Sequence, residues 1–297
     1  MKKVIAIVGP TAVGKTKLSV MIAKHYNLEI ISGDSVAVYK TLDIGSAKPT
    51  ILERQGVKHH LIDILEPTEQ YDVSHFQTMA REIIAKNDVT IIAGGTGLYV
   101  KSALYDYNFS SPKRDENFLE QFAGYTNEEL YAYLLKLDPG IDQEKLHMNN
   151  RKRVLRALEV KLKTDTSLHQ NNKKDELLYD AYIIYLNISD RDVLYRRIED
   201  RVDEMVKAGL VEEVRNLYNK GIVPNAIGYK EFVPYFNGEI TISTALDEVK
   251  KNSRHLAKRQ MTWFKNQLDT HFYEVNLNNI EETYQKIIKD LDVFLEA

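Results

Sequence analysis

Four short stretches of the chain are apolar and rich in β-branched residues: 4–8, 29–32, 89–93 and 182–188. Between them apolar positions recur every three to four residues, as in 17–24, where Leu18, Met21 and Ile22 share one face. Strands that alternate with helices predict an α/β architecture, a parallel sheet covered by helices on both faces. In such a sheet the loops at the carboxyl ends of the strands carry the chemistry. Two of these loops stand out, because the second strand runs into Gly33-Asp34-Ser35 and the third into Gly94-Gly95-Thr96-Gly97.

The rhythm changes after the third strand. From Ser111-Pro112 to about Tyr179 the pattern is helical and charged, with candidate helices at 127–137 and 149–162. This predicts a helical insertion, residues 113–179, within a core domain built from 1–112 and 180–297. The insertion closes with a polar stretch, 163–176, that contains His169-Gln170-Asn171-Asn172-Lys173-Lys174 and reads as a mobile loop. After Ile188 the chain is mostly helical. Ser189-Asp190-Arg191-Asp192 reads as a capped helix start, Gly209 and Gly221 interrupt the helical pattern beyond it, and 280–295 reads as a terminal helix. In that last helix Tyr284, Ile287, Ile288 and Leu291 form the side expected to dock on the core.

Composition narrows the class. The 297 residues are 43% hydrophobic, enough for one large domain or a core with a smaller insertion. The chain has no cysteine, which excludes a disulfide framework and any thiolate metal site and fits a reducing cytoplasm. After Met1-Lys2-Lys3 the apolar run before Gly9-Pro10 is too short for a signal peptide, and no run reaches the length of a membrane span. A formal net charge of −3 argues against wholesale coating of nucleic acid, so a polyanion must meet a local basic patch. Nothing marks a subunit interface, and a monomer is expected.

The first strand feeds into Gly9-Pro10-Thr11-Ala12-Val13-Gly14-Lys15-Thr16, a full match to the phosphate-cradling G-x-x-x-x-G-K-[ST] loop. Glycines at both ends let backbone N–H groups wrap around phosphate oxygens, and the positive end of the following helix adds to the attraction. Lys15 supplies a point charge, and the Thr16 hydroxyl is placed to hold Mg²⁺. The expected fold is therefore P-loop NTPase-like with a helical insertion. The loop grips a pyrophosphate without saying which bond beside it breaks.

Further blocks add specificity: 31–49 with Gly33-Asp34-Ser35-Val36-Ala37 and Asp43-Ile44-Gly45-Ser46-Ala47-Lys48-Pro49, His59-His60-Leu61-Ile62-Asp63, Gly94-Gly95-Thr96-Gly97-Leu98-Tyr99, Arg153-Val154-Leu155-Arg156-Ala157-Leu158-Glu159, Ile227-Gly228-Tyr229-Lys230-Glu231 and 257–264. With the phosphate loop, they make the chain resemble the bacterial tRNA dimethylallyltransferase family, also called tRNA isopentenyl transferases, from the first strand to about residue 265. The resemblance implies transfer of a dimethylallyl group from dimethylallyl diphosphate to N6 of the adenine just 3′ of the anticodon, with the anticodon loop of tRNA as partner. The phosphate loop then holds the leaving diphosphate, not ATP. Lys15, the loop amides and Mg²⁺ would stabilise the charge that builds on it.

The resemblance makes Asp34 the base that takes a proton from the adenine amine. Its residue-level alternative is support of Mg²⁺ or its waters, and a carboxylate can do both in sequence. Thr96 can orient Asp34 or the amine, or be only a hydroxyl in a glycine turn. Ser35, Val36 and Ala37 are expected beside the tRNA with Asp34. Many members carry Gln where this chain has Ala37, which removes an amide hydrogen bond to a base. For tRNA phosphates two basic helices are candidates. In 251–268, Lys251, Arg254, His255, Lys258 and Lys265 face away from Ala257, Met261, Phe264 and Leu268; in 149–163, Val154, Leu155, Leu158 and Leu162 form the buried side and leave Arg151, Lys152 and Arg156 outward.

Arg191, Arg196, Arg197 and Arg201 crowd one helix, where pairing with Glu199, Asp200 and Asp203 is the favoured reading over closure on the diphosphate. His59-His60 is not a zinc signature. Three rivals share the loop: an ATP-dependent small-molecule or nucleotide kinase, a prenyltransferase acting on free adenine nucleotides, and a nucleotide-dependent RNA-binding switch.

Overall fold

The computed structural model describes residues 1–107, 115–144, 146–167 and 176–297. Most of the predicted mobile loop, 168–175, and the predicted boundary at 112/113 lie outside the described residues. The chain divides into two compact units, Met1–Leu104 with Leu177–Ala297, and Tyr105–Glu176.

The first unit holds a six-stranded sheet, β1 (Lys3–Val8), β2 (Ile30–Ser32), β3 (His59–His60), β4 (Val89–Gly94), β5 (Asp180–Asn187) and β6 (His271–Glu274), in the order β3-β2-β4-β1-β5-β6. All pairings are parallel, and β1 lies between β4 and β5 with Val8 level with Gly94 and Tyr185. Ile5 and Ile7 join one core cluster with Ile30, Ile91 and Ile184, whereas Val4, Ala6 and Val8 on the opposite side of the strand are equally buried. Burial on both faces is what a parallel sheet with helical crossovers requires. The four strands expected from the apolar runs are β1, β2, β4 and β5. The two that sequence reasoning missed are the edges, where β3 is two half-buried residues and β6 buries only Tyr273.

Helix α1 (Lys15–Tyr26) buries Leu18, Val20, Ile22 and Ala23 and ends at Asn27 in the left-handed conformation, φ 53°. The short α2 (Ile51–Arg54) begins with a capping box between Thr50 and Glu53. Helix α3 (Val73–Ala85) starts at Asp72, whose carboxylate accepts the N–H groups of Ser74 and His75, and packs beside α4 (Gly97–Leu104).

The second unit contains α5 (Glu116–Glu120), α6 (Asn127–Leu137) and α7 (Arg151–Thr164) around Phe118, Phe122, Leu130, Leu134, Val154, Leu155 and Leu158. The helical pattern puts Leu162 on the buried side, but it is 45% exposed. The core cluster ends at Leu158, and Leu162, one turn on, stands clear of it. The charged Glu159, 1% exposed, accepts the Asp115 N–H at 2.8 Å and pairs with Arg156 at 2.6 Å and Lys163 at 3.3 Å. We expect Glu159→Ala to destabilise this unit by about 3 kcal/mol in urea unfolding, because it strips a buried acceptor from two cations and a backbone donor. A loss below about 1 kcal/mol would show that the triad is not what holds it.

Back in the first unit, α8 (Arg191–Lys207) is capped by Asp190, as the sequence predicts, and α9 (Leu210–Asn219) begins after Gly209 at φ 103°. A 3₁₀ turn, Lys230–Phe232, leads into α10 (Val233–Phe236), then α11 (Ile242–Gln267) and α12 (Ile280–Glu296). Ile287, Ile288 and Leu291 of α12 enter the core cluster of β1 and α1, and Tyr284 packs against it, so the terminal helix docks as its pattern predicts.

Candidate functional site

Gly9, at φ 148°, opens the phosphate loop; a Cβ there would lie 2.4 Å from the Leu186 carbonyl oxygen on β5. Ala12 turns left-handed at φ 63°, and Gly14, at φ 103°, leads into the N-terminus of α1. Thr16 comes next in the first turn of that helix, where its carbonyl accepts the Ser19 hydroxyl. The Lys15 ammonium donates to the carbonyls of Gly9 at 3.0 Å and Pro10 at 2.7 Å. Burial, and then the nearby Arg201 charge, lower its pKa to about 7, with Asp34 partly opposing them.

Asp34 succeeds β2. Its Oδ1 accepts the N–H groups of Val36 at 2.8 Å and Ala37 at 3.2 Å, which fixes the carboxylate at the strand end. The Thr96 N–H donates to the Gly33 carbonyl at 3.3 Å, so the loops after β2 and β4 are stitched together. They meet because residue 94 lacks a side chain, since a Cβ there would sit 2.2 Å from the Gly33 oxygen. The structure thus brings the phosphate loop, Asp34 and the Gly94–Gly97 turn to one end of the sheet. Ser35 and Val36 are partly exposed, whereas Ala37 is 2% exposed and gives its N–H to Asp34, while its carbonyl accepts the Asp63 N–H.

The arginine cluster of α8 overturns the pairing expected from sequence. Arg197 donates to the Ala12 carbonyl at 3.0 Å, and Arg201 donates to the Thr11 hydroxyl at 3.2 Å and the Ala47 carbonyl at 3.3 Å. Glu199 pairs instead with Arg254, and Asp203 with Lys250 at 2.6 Å, both on α11. The available signal was spacing: Arg197 and Arg201 are one turn apart beside the buried Ile198 and Val202. Burial lowers the pKa of Arg201, although a guanidinium keeps its charge there.

Two sequence blocks with no assigned chemistry turn out to shape the segment after Asp34. The buried Lys48 ammonium joins Asp43 at 2.8 Å, Asp63 and the Tyr39 carbonyl. Glu213 accepts the N–H groups of Asp43, Ile44 and Gly45 at 2.8–3.0 Å and the Tyr229 hydroxyl at 2.8 Å. Ile44, Lys48, Arg54, Asp63, Arg201 and Met205 line part of a cavity of about 460 Å³.

On α11, Lys251, His255, Lys258 and Lys265 are exposed, and Arg254 is half-buried against Glu199. A cavity of about 470 Å³ is lined by Lys258, Arg259, Thr262, Trp263, Asn266 and Gln267. In the second unit, Arg151 donates to the carbonyls of Tyr125 at 2.6 Å and Phe122 at 2.7 Å, and Arg156 holds Glu159. Both guanidiniums therefore brace that unit. His60 bonds Glu29 at 2.6 Å, and among the described residues no cluster of three or more His, Cys, Asp or Glu is arranged to hold a metal ion. Among them, too, no helix is long and apolar enough to cross a membrane.

Comparison with known proteins agrees with this architecture. The family model described as IPP transferase matches residues 37–267, and that described as isopentenyl transferase matches residues 2–68. A tRNA dimethylallyltransferase of Anoxybacillus flavithermus is 43% identical over 95% of this chain and 93% of its own. One from Bacillus subtilis is 45% identical over 92% of this chain and 90% of its own. The crystal structure of a Staphylococcus epidermidis tRNA delta(2)-isopentenylpyrophosphate transferase superposes with a TM-score of 0.73 at 40% identity, covering 98% of this chain and 99% of that one. A eukaryotic dimethylallyltransferase acting on tRNA reaches a TM-score of 0.86 at 28% identity, covering 100% of this chain and 80% of that one. A phosphate loop that faces an acidic strand end, in a chain aligned along nearly its whole length with these enzymes, belongs to the IPP transferase family of tRNA dimethylallyltransferases.

Proposed function

We propose that the chain transfers a dimethylallyl group from dimethylallyl diphosphate to N6 of the adenine 3′-adjacent to the anticodon in tRNA, releasing diphosphate. The observation that carries this reading is that the phosphate loop with Lys15 and the strand end with Asp34 open at the same end of the sheet, in a chain of this family. The reaction breaks the allylic C–O bond, whose electron pair leaves with the diphosphate, and forms a C–N bond to the amine. Lys15 and the phosphate-loop amides oppose the charge that grows on the departing oxygens. Asp34 takes the N6 proton as the amine attacks, because the nitrogen lone pair is delocalised into the purine and the N–H becomes acidic only as the new bond forms. Arg197 holds the Ala12 carbonyl and Arg201 the Thr11 hydroxyl of the loop. Thr96 orients the carboxylate or the amine.

The Thr16 hydroxyl in the first turn of α1, with the Asp34 carboxylate after β2, would hold Mg²⁺ carried in with the diphosphate. Bound there, the ion would neutralise charge on the leaving group. The target adenine is turned outward from its loop to reach Asp34, which costs less in a single-stranded loop than in a duplex. Lys258 and its neighbours on α11 offer charge to the RNA backbone, whereas Arg151 and Arg156 of the helical unit are engaged in internal bonds.

The test is direct. The protein is incubated with Mg²⁺, dimethylallyl diphosphate and either unmodified tRNA, AMP or ATP, and mass gain on adenine is followed with pyrophosphate release. We expect product on tRNA alone. Gain on AMP, or a product that needs ATP in place of the prenyl donor, overturns the reading.

A further inference from the structure

We infer that Gln260 on α11 is a positioning residue that sets the shape of the phosphate loop and so the grip on diphosphate, an inference that rests on the prenyl-transfer reading above. Its side-chain amide spans two loops that leave different strands. Oε1 accepts the Thr11 N–H at 2.9 Å, and Nε2 donates to the Gly95 carbonyl at 3.0 Å. A primary amide accepts at one end and donates at the other, which a carboxylate or an ammonium cannot do. Thr11 immediately precedes the left-handed Ala12, so holding its N–H orients the peptide that enters the turn of the loop. Gly95 immediately precedes Thr96. One side chain therefore ties the phosphate loop to the loop that carries the candidate orienting hydroxyl.

Room for this brace is built into the sequence. A Cβ at Gly95 would lie 2.4 Å from Gln260 Nε2, and one at Gly97 would fall 2.1 Å from the Trp263 ring on the next turn of α11. Two glycines of the Gly94–Gly97 turn thus admit the close approach of this helix. Lys15 Nζ is 3.8 Å from the same Gly95 position, so the brace stands beside the residue that faces the leaving group. Gln260 acts through the backbone it holds and not on the reacting atoms.

The experiment measures binding of inorganic pyrophosphate with Mg²⁺ to the full chain by calorimetry, alongside KM for the prenyl donor and kcat with tRNA. Gln260→Met keeps the length and packing of the side chain and deletes both hydrogen bonds. It is expected to weaken pyrophosphate about tenfold and raise the donor KM by a similar factor, with tRNA affinity and Tm near wild type. Gly95→Ala pushes the amide away and should cost about as much as Gln260→Ala, and the double variant no more than either alone. Pyrophosphate affinity unchanged in Gln260→Met, or costs of Gly95→Ala and Gln260→Ala that add, overturns the inference. A wild-type protein that binds pyrophosphate but transfers no prenyl group to tRNA overturns the proposed function and leaves the brace standing.

Discussion

Asp34→Ala lowers the rate of prenyl transfer by about two to four orders of magnitude, while tRNA affinity stays near wild type. The expectation rests on what the carboxylate does and when. An uncharged N6 in the ground state gives it little to hold, so its interaction grows mainly as the amine acquires positive charge at the transition state. Losses of that kind fall equally on kcat and on kcat/KM. Asp34 also accepts two backbone N–H groups, so an alanine disturbs the loop as well as the proton transfer. Asp34→Asn separates the two effects, because an amide oxygen still accepts those N–H groups but takes no proton at neutral pH. Single-turnover chemical quench should therefore find Asn as slow as Ala, with the Tm of the wild type. A variant that turns over at the wild-type rate would leave Asp34 without the role of base.

Lys15→Met lowers the same rate by about a hundredfold to a thousandfold, the range found when a preorganised group that meets growing negative charge is removed. This variant also carries a pH signature. In the free protein the Lys15 pKa is lowered to about 7, mainly by burial. A bound anion stabilises the charged ammonium and raises that pKa, so binding must take up a proton wherever the free lysine has lost one. Pyrophosphate affinity should thus gain nothing from lowering the pH well below about 7. Above that point it should fall by up to about tenfold per pH unit, until the pKa of the complex is reached. Pyrophosphate ionises over the same range, so the informative quantity is the ratio of wild-type to Lys15→Met affinity, in which the ligand's own protons cancel. A ratio that stays flat from pH 6 to 9 would mean that the ammonium remains charged without a ligand.

The central strands and the phosphate loop were legible because their signals are local: four apolar runs, two glycines at fixed spacing and a helix with one buried face. The edge strand at 271–274 was not, since an exposed strand with one buried tyrosine lacks the alternation or apolar run that betrays a strand. The same contrast divides the site. Asp34 and Lys15 announce themselves in short motifs, but the partners of Arg197 and Arg201 depend on which way α8 turns against the loop, and neighbouring acids in the sequence offered a plausible wrong answer. The blocks 43–49, 59–63 and 227–231 were visible as blocks without visible purpose. Only the fold shows that Lys48 closes on Asp63, 15 residues on, and that Glu213, bonded to Tyr229, reaches back about 170 residues to the backbone of Asp43, Ile44 and Gly45.

The position of β1 in the middle of the sheet has a consequence for how the molecule assembles during synthesis. Lys3 donates to the carbonyls of Phe294 at 2.8 Å and Leu295 at 3.1 Å, and β1 pairs with β5 across the whole helical unit in sequence. β1 thus waits for β5, 177 residues further along the chain, with one long flank unpaired in the interval. Contacts this distant along the chain make nucleation slow, so translation speed and chaperone holding should govern the yield of active protein more than the stability of the finished fold does.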